Sequence, residues 1–195
     1  MKSQVTALEF VLNILLLFTL FVYAYFWSSG IFEKTLDKIK INKAERILYE
    51  LDERIQRISK AGGKDVFYFE IDGTFELKRN TTNELFNYIE IRIRTSEVSN
   101  TTWVYVNSYN TNKIISKIME TPSIIRKKHQ GDIFYLQLFY RIFTSGTEAS
   151  SIIIEPRFNW ICSGKCEITI EKVGERTINF NGYNVQAPVV RLDIK

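Results

Sequence analysis

The segment Phe10–Trp27 constrains this chain more than any other: it holds no charged residue, and only Asn13 and Thr19 interrupt its apolar character. Read back through Val5–Leu8, the run reaches about 23 residues, enough for a helix to cross a hydrocarbon core of ~30 Å. A lone segment in lipid must satisfy its backbone polar groups internally, so helix is the form it takes. Tyr23, Tyr25 and Trp27 gather at its C-terminal end, as an interfacial aromatic belt does. The competing reading is a cleaved secretory signal, with Ser28 and Gly30 as the small residues near a cut. Signal cores run about 7–15 residues, shorter than this one. Residues 1–30 are therefore read as a leader plus a transmembrane helix.

Residues 31–63 read as an amphipathic helix and its stop. Apolar residues recur at Phe32, Leu36, Ile39, Ala44, Ile47, Leu48, Leu51, Ile55 and Ile58, mostly three or four apart. Glu50–Arg54 and Glu53–Arg57 sit in the favourable i,i+4 order, and Gly62-Gly63 supplies a left-handed stop. Nothing in Ser28-Ser29-Gly30 forces a break, so one long helix, apolar first and amphipathic later, is the simplest reading. Its stripe needs a partner surface, either its own downstream domain or a neighbouring copy.

Residues 64–195 read as strands, in keeping with a chain that carries 14 Phe and 10 Tyr. Asp65–Ile71 and Thr74–Arg79 flank Asp72-Gly73, a hairpin signal. Tyr88–Arg94 alternates, with Ile89, Ile91 and Ile93 on one face and Glu90, Arg92 and Arg94 on the other. Trp103–Tyr109, Asp132–Phe143, Ser151–Ile154, Phe158–Cys162, Cys166–Val173, Thr177–Phe180 and Val185–Ile194 continue the pattern, separated by turn residues that include Gly131, Ser163-Gly164-Lys165 and Asn181-Gly182. Lys113–Lys128 is less legible, and Ile114, Ile115 and Ile118 fit a short helix. The fold class expected is α+β: a long N-terminal helix followed by an antiparallel β-sandwich-like domain. Because the strands carry their own alternating faces, Lys64–Lys195 is expected to fold by itself.

Three features bear on orientation. Lys34, Lys38, Lys40, Lys43 and Arg46 follow the span while only Lys2 precedes it, and by the positive-inside rule this places the C-terminal part in the cytoplasm. Asn80-Thr81-Thr82 and Asn100-Thr101-Thr102 are glycosylation acceptor tripeptides, which point outward. So does the pair Cys162 and Cys166, the only cysteines, whose layout suits a disulfide pinching a hairpin turn in an oxidising compartment. Reduced thiols are the alternative. The expectation is an outside C-terminal domain.

The search for chemistry finds no phosphate loop, no HExxH, no GxSxG and no CxxC pair, so no catalytic residue, metal site or cofactor is assigned and the chain is read as a non-enzyme. Two thiolates with a single histidine do not fill a tetrahedral metal site without carboxylates. His129 lies in a polar run, Arg126–Gln130, and reads as a solvated face. Trp103, Trp160 and Tyr109 are candidates for a carbohydrate platform, although aromatic residues in a β-domain are usually core. A net charge of +4 without a long basic block gives nucleic-acid binding little support.

The opening Lys2-Ser3-Gln4-Val5-Thr6-Ala7-Leu8-Glu9-Phe10, running into an unbroken apolar helix, resembles the class III signal of archaeal type IV pilin-like proteins. The resemblance covers about the first 30 residues, and a continuous helix followed by a β-rich head is similar to the architecture of that family. It implies that Ser3 is the last leader residue and Gln4 the mature start. The family usually places the glutamate fifth in the mature chain, whereas a cut after Ser3 makes Glu9 sixth. A carboxylate at the head of a membrane helix is tolerated when it snorkels or meets a positive partner. In a bundle that partner is the terminal amine of a neighbouring subunit, which would set the axial stagger between copies. The alternative leaves Glu9 at the interface. Asn13 lies one turn further on the same face, placed either to hydrogen-bond across helices or simply tolerated. The expected function is a membrane-anchored surface protein of the pilin-like kind, held in the membrane by Phe10–Trp27 and self-associating, or meeting related subunits, through its N-terminal helix. The alternatives are an accessory or stator-like protein gripping an envelope layer, and an extracellular ligand- or glycan-binding module.

Overall fold

A computed structural model describes residues 2–80, 82–106, 115–116, 122–145, 148–157 and 161–195, with side chains from Glu9 onward except at 115, 116, 145 and 148. One helix, α1 (Lys2–Ala61), opens the chain. Contacts divide the chain into two compact units, Met1–Ile39 and Lys40–Lys195, so the division falls within α1, between the expected boundaries at 30 and 63.

In the first unit the helix runs through Ser28-Ser29-Gly30 without a break. The hydroxyls that would compete with it bond back to it instead. Ser28 Oγ donates to the Tyr25 carbonyl at 3.1 Å and Ser29 Oγ to Phe26 at 2.9 Å, leaving the backbone ladder intact. The apolar side chains Phe10–Trp27 are exposed nearly all round, and so are Ile31, Phe32, Leu36 and Ile39.

The second unit begins with the rest of α1. Ala44, Ile47, Leu48, Leu51, Ile55 and Ile58 are buried in one cluster with Phe67, Phe75, Ile89, Ile91, Leu136, Ile168 and Leu192 from the sheet. Of the two partner surfaces open to the stripe, its own domain covers the part from Ala44 onward. Each Leu or Ile so buried contributes ~1.5–3 kcal/mol. The helix is thus one wall of the core, which bears directly on the expectation that Lys64–Lys195 folds by itself. The Gly62 N–H closes the last turn on the Ile58 carbonyl at 2.8 Å, and Gly62 and Gly63 adopt φ of 76° and 93°.

Among the described residues ten strands follow: β1 (Lys64–Lys78), β2 (Tyr88–Asn100), β3 (Val104–Tyr105), β4 (Ile115–Ser116), β5 (Ser123–Tyr140), β6 (Ile142–Ser145), β7 (Glu148–Ser150), β8 (Ile153–Pro156), β9 (Ile161–Phe180) and β10 (Tyr183–Ile194). A 3-10 turn, Glu84–Phe86, joins β1 to β2. The strands form a single curled sheet in the order β3-β5-β2-β1-β9-β10-β7-β6-β4, with β8 also on β10. Helix plus sheet fits α+β. The sheet is mixed, because β7 and β8 run parallel to β10 and β4 parallel to β6; the antiparallel sandwich is not confirmed.

Glycine-bearing turn signals divide by outcome. Asn181-Gly182 reverses the chain as expected: φ is 52° and 83°, and Phe180 pairs with Tyr183 across the two-residue turn, the geometry that demands positive φ at both positions. Asp72-Gly73 does not. β1 continues through it, and the pair forms an excess opposite β9, where Ile71 pairs with Gly164 and Thr74 with Ser163. Glycine is needed at 73 for space, since a Cβ would stand 2.3 Å from the Arg92 carbonyl oxygen. Ser163-Gly164-Lys165 and Gly131 likewise lie inside β9 and β5. In the less legible stretch, Ile115 is in β4 and Ser123–Lys128 opens β5; Ile114 and Ile118 lie outside the described residues.

Candidate functional site

Glu9 and Asn13 are both exposed on the first unit, four residues apart and so on one helical face. Ser3 and Gln4 fall within α1, but their side chains lie outside the described residues. The apolar window here has mean hydropathy 2.1 and none of it is buried, so among the described residues one helix is long and apolar enough to cross a membrane.

Cys162 and Cys166 stand at disulfide distance, with Cα atoms 6.1 Å apart. Four extended residues would span ~13 Å, so the pair pinches a bend within β9 rather than a hairpin between two strands. The bend lies opposite the Asp72-Gly73 excess in β1, and Phe75 and Phe69 pair with the two cysteines. The acceptor asparagines differ. Asn100 is exposed, and its Oδ1 accepts from the Gly131 N–H at 3.1 Å. Asn80 is half-buried, and its Oδ1 accepts from the Thr82 and Asn83 N–H groups at 2.9 and 3.1 Å; Thr81 is outside the described residues.

His129 is a strand residue, not part of a loop. Thr95 Oγ1 lies 2.7 Å from its Nε2 and Ser99 Oγ contacts Nδ1. Thr95 Oγ1 also lies within hydrogen-bond distance of the Glu97 and Asp132 carbonyls, at 3.0 and 3.2 Å. The imidazole pins the register shift between Arg94 and Ser99, where β2 carries extra residues.

The densest chemistry is assembled by the curl of β5. That strand bends until its ends meet, the Arg141 N–H donating to the Pro122 carbonyl at 2.9 Å. On the helix side of the curl, Ser123 and Tyr140 both donate to Asp52 of α1, at 2.5 and 2.8 Å, and Gln56 adds a third bond at 2.9 Å. Burial raises the Asp52 carboxyl above its ordinary range against the pull of those three bonds, and it pushes the Tyr140 phenol well up.

On the opposite side, a continuous polar chain crosses three strands, β1, β2 and β5. Glu76 and Glu90 face each other directly across β1 and β2, an arrangement that repels unless compensated. Arg92 bridges them, its Nε on Glu90 and an Nη on Glu76, both at 2.7 Å, and Lys78 adds a bond to Glu76. The bond to Glu90 is the main reason the Arg92 guanidinium is held above its usual value. Gln137 Nε2 then donates to Glu90 at 2.6 Å, and Arg126 Nε donates to Gln137 Oε1 at 2.9 Å. The Arg126 guanidinium sits 4.4 Å above the Trp103 ring and 5.0 Å from that of Phe139. Beside it opens a cavity of about 310 Å³ lined by Asn80, Phe86, Tyr88, Tyr105, Arg126 and Phe139, together with Ile124.

Of the three residues expected to form an aromatic platform, Trp160 and Tyr109 lie outside the described residues. Trp103 carries cations on its ring, Arg126 and, at 4.9 Å, Lys128. Asp52 was legible in principle: it lies one turn from Leu48 in the stripe, a polar residue at a buried position. The Arg126–Gln137 pair was not, because it depends on one strand folding back across itself. Comparison with known proteins adds no identity: no family model matches the chain, nor does any curated protein or solved structure.

Proposed function

We propose that this chain is a membrane-anchored cell-surface structural protein, a type IV pilin-like subunit whose N-terminal helix serves both as anchor and as assembly element. The observation that carries the reading is the division of α1. Its first part exposes apolar side chains on every face, while its later part is spent inside its own domain. A helix apolar all round requires lipid or other helices, and the pilin-like opening Lys2–Phe10 supplies a head suited to meeting copies. Glu9 and Asn13 are the polar groups available on that surface, Glu9 for a neighbour's terminal amine and Asn13 for an interhelical hydrogen bond. Cleavage after Ser3 would create the amine at Gln4. The β-rich domain lies outside, in agreement with two cysteines at disulfide distance and with the acceptor tripeptide at the exposed Asn100.

Crosslinking in native membranes, wild type beside Glu9→Gln, tests assembly. Gln keeps the size and removes the charge, so insertion should persist while the oligomer ladder is lost. Equal ladders would reduce Glu9 to an interfacial bystander. Protease accessibility on intact cells tests the location, and protection of the domain until lysis refutes it. A second reading, an accessory protein that grips an envelope layer, draws on the aromatic, cation-bearing cavity of the head. A wild-type chain that never crosslinks to itself favours that reading.

A further inference from the structure

The cavity beside Arg126 combines three properties. First, its walls are aromatic: Phe86, Tyr88, Tyr105 and Phe139 line it. Ring faces of this kind accept the C–H faces of a saccharide, and tyrosine rings carry hydroxyls that serve its polar rim. Second, it holds a cation that is positioned but not neutralised. Arg126 is fixed through Nε by Gln137 and through its plane by Trp103 and Phe139. Its described contacts include no carboxylate, because Glu76 and Glu90 are engaged by Arg92, Lys78 and Gln137. The terminal guanidinium nitrogens therefore remain for a ligand, in the fork geometry that suits a carboxylate. Third, the rim offers an oriented amide. The Asn80 carbonyl oxygen is occupied by the Thr82 and Asn83 N–H groups, which leaves Nδ2 as a donor.

We infer that this cavity binds an acidic sugar, a hexuronic acid residue of a polysaccharide, with its ring between the aromatic walls and its carboxylate on Arg126. A volume of about 310 Å³ lies at the small end of the range for ligand pockets, in keeping with one ring rather than a long segment. A neutral sugar would leave the guanidinium unmatched. A flat aromatic acid would leave the Asn80 amide and the tyrosine hydroxyls without partners. The inference stands whether or not the N-terminal helices assemble.

The test uses the full chain in detergent micelles, with intact mass confirming that Asn80 carries no glycan. Three probes are titrated by isothermal calorimetry and saturation-transfer NMR: methyl glucuronoside, methyl glucoside and benzoate. The glucuronoside should bind saturably and at least tenfold more tightly than either of the others. Arg126→Gln should erase that preference, bringing glucuronoside affinity down to that of the glucoside. Tyr105→Leu, on the short β3, should weaken both sugars together, and it provides the mutational arm should Arg126→Gln not fold. Equal affinity for the two sugars, absence of saturable glucuronoside binding to the folded wild type, or benzoate binding as tightly as the glucuronoside would each overturn the inference.

Discussion

The two parts of α1 share a backbone and differ in where their apolar side chains lie. Through Phe10–Trp27 these residues cover the whole circumference and stay exposed. From Ala44 to Ile58 they occupy one stripe, and the sheet takes that stripe into its core. Helix propensity does not separate the two regions. What separates them is angular distribution: a full apolar surface needs an apolar medium, whereas a stripe needs only one packed face. The residues between, Ile31, Phe32, Leu36 and Ile39, continue the stripe in sequence yet remain exposed on the first unit.

The strongest way to break this comparison is to remove the second part of the helix. A fragment starting at Lys64 uncovers Ile89, Ile91, Leu136 and Ile168 together, so it should lose its cooperative unfolding transition. A fragment starting at Lys40 should keep it. Circular dichroism of the two during chemical denaturation makes the measurement, and a cooperative Lys64 fragment would show that the helix contributes little to the core.

Single truncations sharpen the contrast. Leu51→Ala should cost the domain ~2–5 kcal/mol, the usual range for a fully buried leucine. Leu16→Ala, in the exposed apolar segment, should leave the denaturation midpoint of the domain unchanged. Equal effects at the two positions would contradict the division of roles.

The third prediction concerns pH. Burial raises Asp52, so its contribution is full below the ordinary carboxylate range and is lost as pH rises through the raised value. Asp65 runs the other way. Burial alone would raise it, but the Val66 N–H, Arg54 and Arg57 bring it below its ordinary value, so its contribution is present above that range and is lost as pH falls. Asp52→Asn removes the first dependence and leaves the second. As pH rises from the ordinary carboxylate range through the raised Asp52 value, the stability of the variant should therefore gain on that of the wild type. Parallel stability curves would mean that Asp52 is as well solvated folded as unfolded.

The smallest effect belongs to the cysteines. Closing so short a loop restricts little of the unfolded chain, so reducing Cys162–Cys166 should cost at most about 2 kcal/mol. The loss should appear as faster exchange of amides around Ser163–Lys165 and the facing Asp72-Gly73, not in the first part of α1. Free thiols in protein isolated from its native envelope would remove the disulfide argument for an outside location.

Several elements were legible because their causes are local. The spacing of Leu48, Leu51 and Ile55 marks a buried helical face, Ile89, Ile91 and Ile93 mark a half-buried strand, and Asn181-Gly182 marks a two-residue reversal. Asp72-Gly73, Gly131 and Ser163-Gly164-Lys165 carry the same kind of signal and do not reverse the chain. A glycine permits an unusual backbone angle, but the neighbouring strand decides whether the angle makes a turn or a bend. At Gly73 that neighbour is the Arg92 carbonyl, distant in sequence and invisible to a local pattern. The candidate site follows the same rule. Arg126 and Gln137 belong to one strand and meet only because it curls, and Asn80, Tyr105 and Phe139 share a cavity only through the pairing of β2, β3 and β5.

From its residues alone, this chain was bound to form a helix too apolar at its start for water, a stripe in search of one face, and a β-rich remainder. Hydropathy and periodicity operate over a few turns or strand residues, and those properties need nothing more. Which face the stripe would meet, which glycines would reverse the chain, and which charges would share a cavity were decided by tertiary structure. Each of those outcomes depends on groups brought within a few ångströms from distant parts of the sequence, where close packing, desolvation and charge pairing take effect.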